Sequence, residues 1–130
     1  MVGPMTSVLA RRALAAIVAL HGIAHLVGTS DLFARAADGK AADLLIDTTS
    51  NPLTLRVLGV AWAAVAVAYA LVAASMWAGR RGWPQQLGWT TLASLGLAVV
   101  SLWASVIGVV IDIALLVIVA VVRSRERRLA

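Results

Sequence analysis

Apolar residues fall in long blocks rather than at a surface period, and short polar segments separate the blocks. The first block runs from about residue 8 to 28 and reads LAAIVALHGIAHLVG after an arginine pair. The second runs from about 53 to 77, and Pro52 suits its first turn. Each is about the ~20 residues that an α-helix needs to cross a bilayer. From Gln85 to Val122 the chain is apolar with a single charge, Asp112. That stretch is too long for one crossing even with tilt, and it predicts two crossings joined by a hairpin. The small residues Ala104, Ser105 and Gly108 put the hinge at Ala104–Gly108, so the last two helices are expected at about 86–103 and 107–122. Residues 29–52 form the one sizeable polar loop, in which Ala41–Ile46 suits a short interfacial helix. Gly79–Pro84 is a turn rich in helix breakers. The expected fold is therefore all-α: one domain, a transmembrane bundle of four helices.

Charge orients this bundle. Arg11 and Arg12 precede the first block, Arg80 and Arg81 follow the second, and Arg123, Arg125, Arg127 and Arg128 follow the last. The 29–52 loop holds only Arg35 and Lys40 against Asp31, Asp38, Asp43 and Asp47. Lysine and arginine collect on cytoplasmic flanks, so both termini are expected inside the plasma membrane and the acidic loop outside. Trp77, Trp83 and Trp89 then mark the cytoplasmic interface. Ala34-Arg35-Ala36 has the form of a signal-peptide cleavage site, but the apolar stretch before it is long and carries two histidines, which favours a retained helix.

Of 130 residues, 62% are hydrophobic and 13% are charged, against about half and a quarter in soluble domains. The net charge of +5 does not point to nucleic acid, because the basic residues flank apolar segments where they meet anionic lipid. Cysteine is absent, which excludes disulfides, thiolate metal sites and the cysteine chemistry of the vitamin-K-reductase-like and DsbB-like quinone enzymes. No GxSxG, Walker loop, GxGxxG or HExxH motif occurs, so nothing suggests nucleotide binding or hydrolysis.

Four polar residues interrupt the blocks. His21 and His25 are four apart, on one face of the first helix. Arg56 opens the second helix and Asp112 lies early in the fourth. With alternating helix directions all four fall in one depth band below the acidic loop, forming a pocket that opens outward. Ionisable residues in a membrane face the interior or an aqueous cavity and pair. Arg56 with Asp112 is the first expected pair, and a histidine with Asp112 the second. His21, His25 and Asp112 match the ligand types of a non-haem iron or zinc site. The same histidines suit a proton relay. Against these stands a purely structural role in hydrogen bonding between helices. A bis-histidine haem is disfavoured, because its ligands must face each other across the ring. Gly59–Ala63, Ala64–Ala68 and Ser94–Ala98 read as small-xxx-small packing seams within the bundle.

The chain resembles small four-helix membrane proteins of high-GC actinobacteria. The elements that carry the likeness are Arg11-Arg12, the stretch from His21 to Gly28 (HGIAHLVG), Asp47-Thr48-Thr49, and the stretch from Leu55 to Trp62 (LRVLGVAW). More loosely it resembles the DoxX-like families, four-helix proteins with a glycine- and often histidine-bearing end to the first helix. That likeness implies membrane redox chemistry coupled to quinone and carries over no catalytic residue. Three functions compete: a non-enzymatic accessory or small-ligand-binding bundle, a DoxX-like redox protein using quinone or a His/Asp metal site, and a dimeric multidrug-type transporter. The last lacks the acid expected in its first helix.

Overall fold

The computed structural model describes residues 4–45, 48–101 and 106–129. Among them the chain forms four α-helices, α1 (Pro4–Asp38), α2 (Pro52–Trp77), α3 (Trp83–Val100) and α4 (Val106–Leu129). A two-residue ladder, β1 (Ala42–Asp43) with β2 (Thr48–Thr49), lies in the first loop.

α1 runs ten residues past its expected end at Gly28. No breaker interrupts the chain there, an Asp31–Arg35 ion pair at 2.7 Å spans one turn, and Leu32 and Ala36 are buried. At about 1.5 Å per residue, its 35 residues extend roughly 52 Å, longer than a ~30 Å hydrocarbon core. The helix stops at Gly39, whose φ of +65° is the left-handed conformation that glycine adopts without strain. The loop is correspondingly shorter than 29–52.

The interfacial helix expected at Ala41–Ile46 is replaced by the antiparallel ladder, with Ala42 opposite Thr49 and Asp43 opposite Thr48. Thr48 Oγ1 donates to Asp43 Oδ1 at 2.7 Å and Ala42 is buried, so local polar pairing wins over a helix too short to sustain itself. Ile46 itself lies outside the described residues. The Asn51 side chain caps α2 by accepting from the Leu53 and Thr54 amides. The expected hinge falls partly on residues 102–105, outside the described set, and Gly108 lies within α4.

α1 and α2 pack along most of their length, α2 against α3, and α3 against α4. Glycines permit the closest approach: a Cβ on Gly22 would lie 2.8 Å from Tyr69 Cβ, and one on Gly59 would lie 3.0 Å from the Phe33 ring. Two apolar clusters result. One, centred on Val18, Val72, Met76, Leu87 and Leu115, fills the half nearer the N-terminus of α1. The other, Leu32, Ala36, Ala42, Leu55 and Trp62, closes the half beneath the loop. Arg11 packs its guanidinium on Gly79 and Arg12 lies over the Trp77 ring, which brings the N-terminus of α1 to the α2–α3 turn. At the opposite end Leu45 N–H donates to Val100 C=O at 2.9 Å, strapping the loop to the end of α3.

The outward surface is apolar, with Val57, Val60, Leu71, Ile113 and Val117 all exposed. Among the described residues three helices, Val8–Asp38, Pro52–Trp77 and Val106–Arg125, are long and apolar enough to cross a membrane. α3 is not one of them, its first turns carrying Gln85, Gln86, Thr90 and Thr91.

Candidate functional site

His21 and His25 point from α1 into the interior, where each of the other helices meets them. Asp112 on α4 is 1% exposed. Its Oδ1 lies 2.7 Å from His21 Nε2 and accepts from Tyr69 Oη of α2 at 2.8 Å. Its Oδ2 accepts from Ser94 Oγ of α3 at 2.6 Å. The Ser94 hydroxyl oxygen in turn lies 3.0 Å from His25 Nε2. One carboxylate thus ties together side chains from all four helices.

The donors fix the proton positions. Ser94 donates its only hydroxyl proton to Asp112, so its contact with His25 requires an Nε2–H donor on the imidazole. A neutral His25 then carries a bare Nδ1, and that buried atom has no hydrogen-bond partner among the described residues. The rings pack tightly: His21 and Tyr69 edge to face with centroids 5.0 Å apart, His25 stacked on Tyr69 at 5.5 Å, and His25 tilted against Trp62 at 4.8 Å.

Arg56 is not part of this network. It is exposed and is not among the hydrogen-bond partners of Asp112 in the described residues. The inward positions at that level of α2 belong to Leu55 and Gly59, and a helical step of about 100° turns Arg56 outward. The expected Arg56–Asp112 pair is therefore replaced by the His21–Asp112 pair.

His21, His25 and Asp112 each offer one ligand atom, all within 4.8 Å of one another. Tetrahedral ligands at ~2.0 Å from zinc stand about 3.3 Å apart. The 2.7 Å separation of His21 Nε2 and Asp112 Oδ1 is instead that of a charge-assisted hydrogen bond, which needs a proton between the two atoms. Ser94 does not fit the role of a nucleophile either. Ser94 spends its proton on the carboxylate and not on a histidine base, so the serine–histidine–acid order is absent.

A cavity of about 160 Å³ adjoins the network. Its lining includes His21, His25 and Ala24 of α1, Trp62 of α2, Ser94 and Ala98 of α3, and Ile107, Gly108 and Ile111 of α4 beside Asp112. Ala24 and Ile107 at its rim are exposed on the apolar flank.

Tyr69, Ser94 and Trp62 were not anticipated as site residues. Tyr69 carried a usable signal, being the chain's one tyrosine in the middle of an apolar block. Ser94 sat in a small-xxx-small stretch that serves helix contact and hydrogen bonding alike. Comparison with protein families, with curated proteins and with solved structures finds no match for the chain.

Proposed function

We propose that this chain is a multi-pass protein of the plasma membrane, a four-helix bundle with both termini cytoplasmic, that binds a small lipid-soluble ligand without transforming it. The observation that carries the reading is the 160 Å³ cavity, lined largely by apolar side chains and bordered by the Asp112 hydrogen-bond network, in which the buried His25 Nδ1 has no partner among the described residues. Ligand pockets are mostly apolar with a few placed polar groups. An engineered cavity of ~150 Å³ takes benzene, so this one suits a single ring.

Support for four crossings comes from α3. Its 18 residues extend about 27 Å, close to the ~30 Å core, and they run from the α2–α3 turn to the loop strap at Val100. Gly88 of α3 faces Val119 of α4 and Arg11 reaches Gly79, so the arginine-rich flanks gather at one end. The buried Trp62 cluster beneath the loop favours a lateral entrance between α1 and α4, from the lipid, over a pocket open to the outer solvent.

The experiment is mass spectrometry of small molecules extracted from detergent-purified protein, set against an Ala98→Phe variant that fills the cavity. A single-ring compound present in the wild type and lost in the variant is the expected result. A wild type that carries none, and that fails to bind a ring compound added in excess, overturns the reading. A second reading, redox chemistry with quinone or a metal, draws on the three donors within 4.8 Å only for the metal, and there it requires the 2.7 Å His21–Asp112 hydrogen bond to open. A metal content near one per chain, or a visible absorption band, would select it.

A further inference from the structure

We infer that the cavity selects a cation: a small lipophilic ammonium carrying one ring, whose charged nitrogen engages Asp112. This rests on the ligand-binding reading above and names the ligand's charge.

The argument begins with charge. Between Pro52 and Arg123 the sequence contains one acid, Asp112. It lines the cavity between the helices and is 1% exposed. The groups that face it are His21 and His25 from α1, Tyr69 from α2 and Ser94 from α3. None of these is a fixed cation, and Arg56, the one arginine within α2, is exposed. With both histidines neutral, the cavity therefore holds one net negative charge in a place where water does not screen it. Charges buried in a membrane interior are paired or mark a ligand pathway. Two hydroxyl donors and an imidazole that is neutral spread the charge of Asp112 but do not cancel it.

Shape and ring chemistry point the same way. Trp62 and His25 line the cavity together, their rings 4.8 Å apart. The indole face is the strongest aromatic partner for an ammonium ion. A carboxylate and an indole lining one cavity suit a positively charged head next to a ring. An anionic ligand would meet the Asp112 charge directly, and a neutral one would leave it uncompensated. The exposed apolar rim at Ala24 and Ile107 fits a ligand that partitions into lipid before it binds. A hydrated inorganic ion would not follow that route.

The test uses three probes of one shape, benzylammonium, benzyl alcohol and benzoate, in equilibrium dialysis against the full-length protein in neutral-detergent micelles. Binding is measured at a pH of about 8, above the ordinary histidine range near 6.5. The expected order is benzylammonium tightest, by at least about tenfold over benzyl alcohol, with benzoate unbound; tenfold corresponds to ~1.4 kcal/mol. Asp112→Asn, which keeps the side-chain shape, should remove the preference for benzylammonium while leaving benzyl alcohol bound. Equal binding of benzylammonium and benzyl alcohol by the wild type overturns the cation inference and leaves the ligand-binding reading in place. Failure of all three probes, with Ala98→Phe indistinguishable from wild type, overturns both. A stoichiometric divalent metal that co-purifies and blocks benzylammonium also overturns the inference, because the charge of Asp112 would then be met by the metal.

Discussion

Replacing Ser94 by alanine removes one hydroxyl and tests whether the buried network holds the helices together. Two contacts go at once. The first is the 2.6 Å bond to the Asp112 carboxylate, and the second is the acceptor for His25 Nε2. In water-soluble proteins a hydrogen bond to a charged group contributes about 1.5–3 kcal/mol. Between membrane helices the average is nearer 0.6 kcal/mol, with a ceiling of about 1.7. Taking the ceiling for the bond to the carboxylate and the average for the histidine gives a loss of about 2 kcal/mol, roughly 30-fold in the unfolding equilibrium. Alanine is a slightly better helix former than serine, so the comparison needs a matched control. Ser75 is also buried and also inside a helix, and its hydroxyl takes no part in the network, so Ser75→Ala corrects for propensity. The assay is reversible unfolding in mixed micelles, with the difference between the two variants as the readout. Nitrogen-15 NMR of His25 adds an independent signature, since the Nε2–H tautomer is no longer held by Ser94. If Ser94→Ala and Ser75→Ala agree within about 0.5 kcal/mol, the network contributes no net stability and the reasoning fails.

Three further outcomes are expected. Arg56→Ala should change stability by less than about 0.5 kcal/mol in the same assay, because the side chain is exposed and away from Asp112; a loss above about 2 kcal/mol would restore the buried pair. Gly22→Val should destabilise by about 1–3 kcal/mol, because any Cβ there meets Tyr69 Cβ at 2.8 Å and forces α1 off α2, whereas Gly96→Ala, with open space around it, should stay near neutral or gain a little. A reporter active only outside the cytoplasm should work when inserted at Gly39, and a cytoplasmic reporter should work fused after Ala130; activity of the cytoplasmic reporter at Gly39 would invert the orientation drawn from arginine.

What the sequence could and could not disclose follows from the kind of force involved. Helix existence was legible because lipid demands long apolar runs with internally satisfied backbone, and both α2 boundaries were signalled by Pro52 and Gly79. The end of α1 was not. Residues 29–38 are polar enough for a loop, yet the Asp31–Arg35 pair and the buried Leu32 and Ala36 carry the helix through them, and those contacts need α2 in place. That Asp112 faces inward and takes a partner at its own depth was legible from the cost of a charge in lipid. The choice between His21 and Arg56 was not, because it turns on the rotation of α2 about its axis. That rotation is fixed by Gly59 packing on Phe33 and Gly22 on Tyr69, contacts that no periodicity within one helix encodes. Ser94 and Tyr69 were hidden for a related reason: a single polar group in an apolar block becomes a site only when a partner stands opposite.

The seam between α1 and α4 has a distinct character that links stability to binding. α1 lies on α2, α2 on α3 and α3 on α4, but α1 and α4 share no extensive packing. The His21–Asp112 hydrogen bond crosses that seam at 2.7 Å, and the cavity lies beside it, lined by Ala24 and His25 on one bank and Ile107, Gly108 and Ile111 on the other. A ligand of the kind proposed, engaging Asp112 from the cavity, would compete with the His21–Asp112 contact between α1 and α4. An occupant that offers Asp112 a cation can replace the His21 donor and let the two banks separate. One that offers only apolar surface fills the cavity and leaves the clasp closed. On the ligand-binding reading proposed above, binding and opening of the α1–α4 seam would be coupled, by the difference in the ligand's contact with Asp112 between closed and open arrangements.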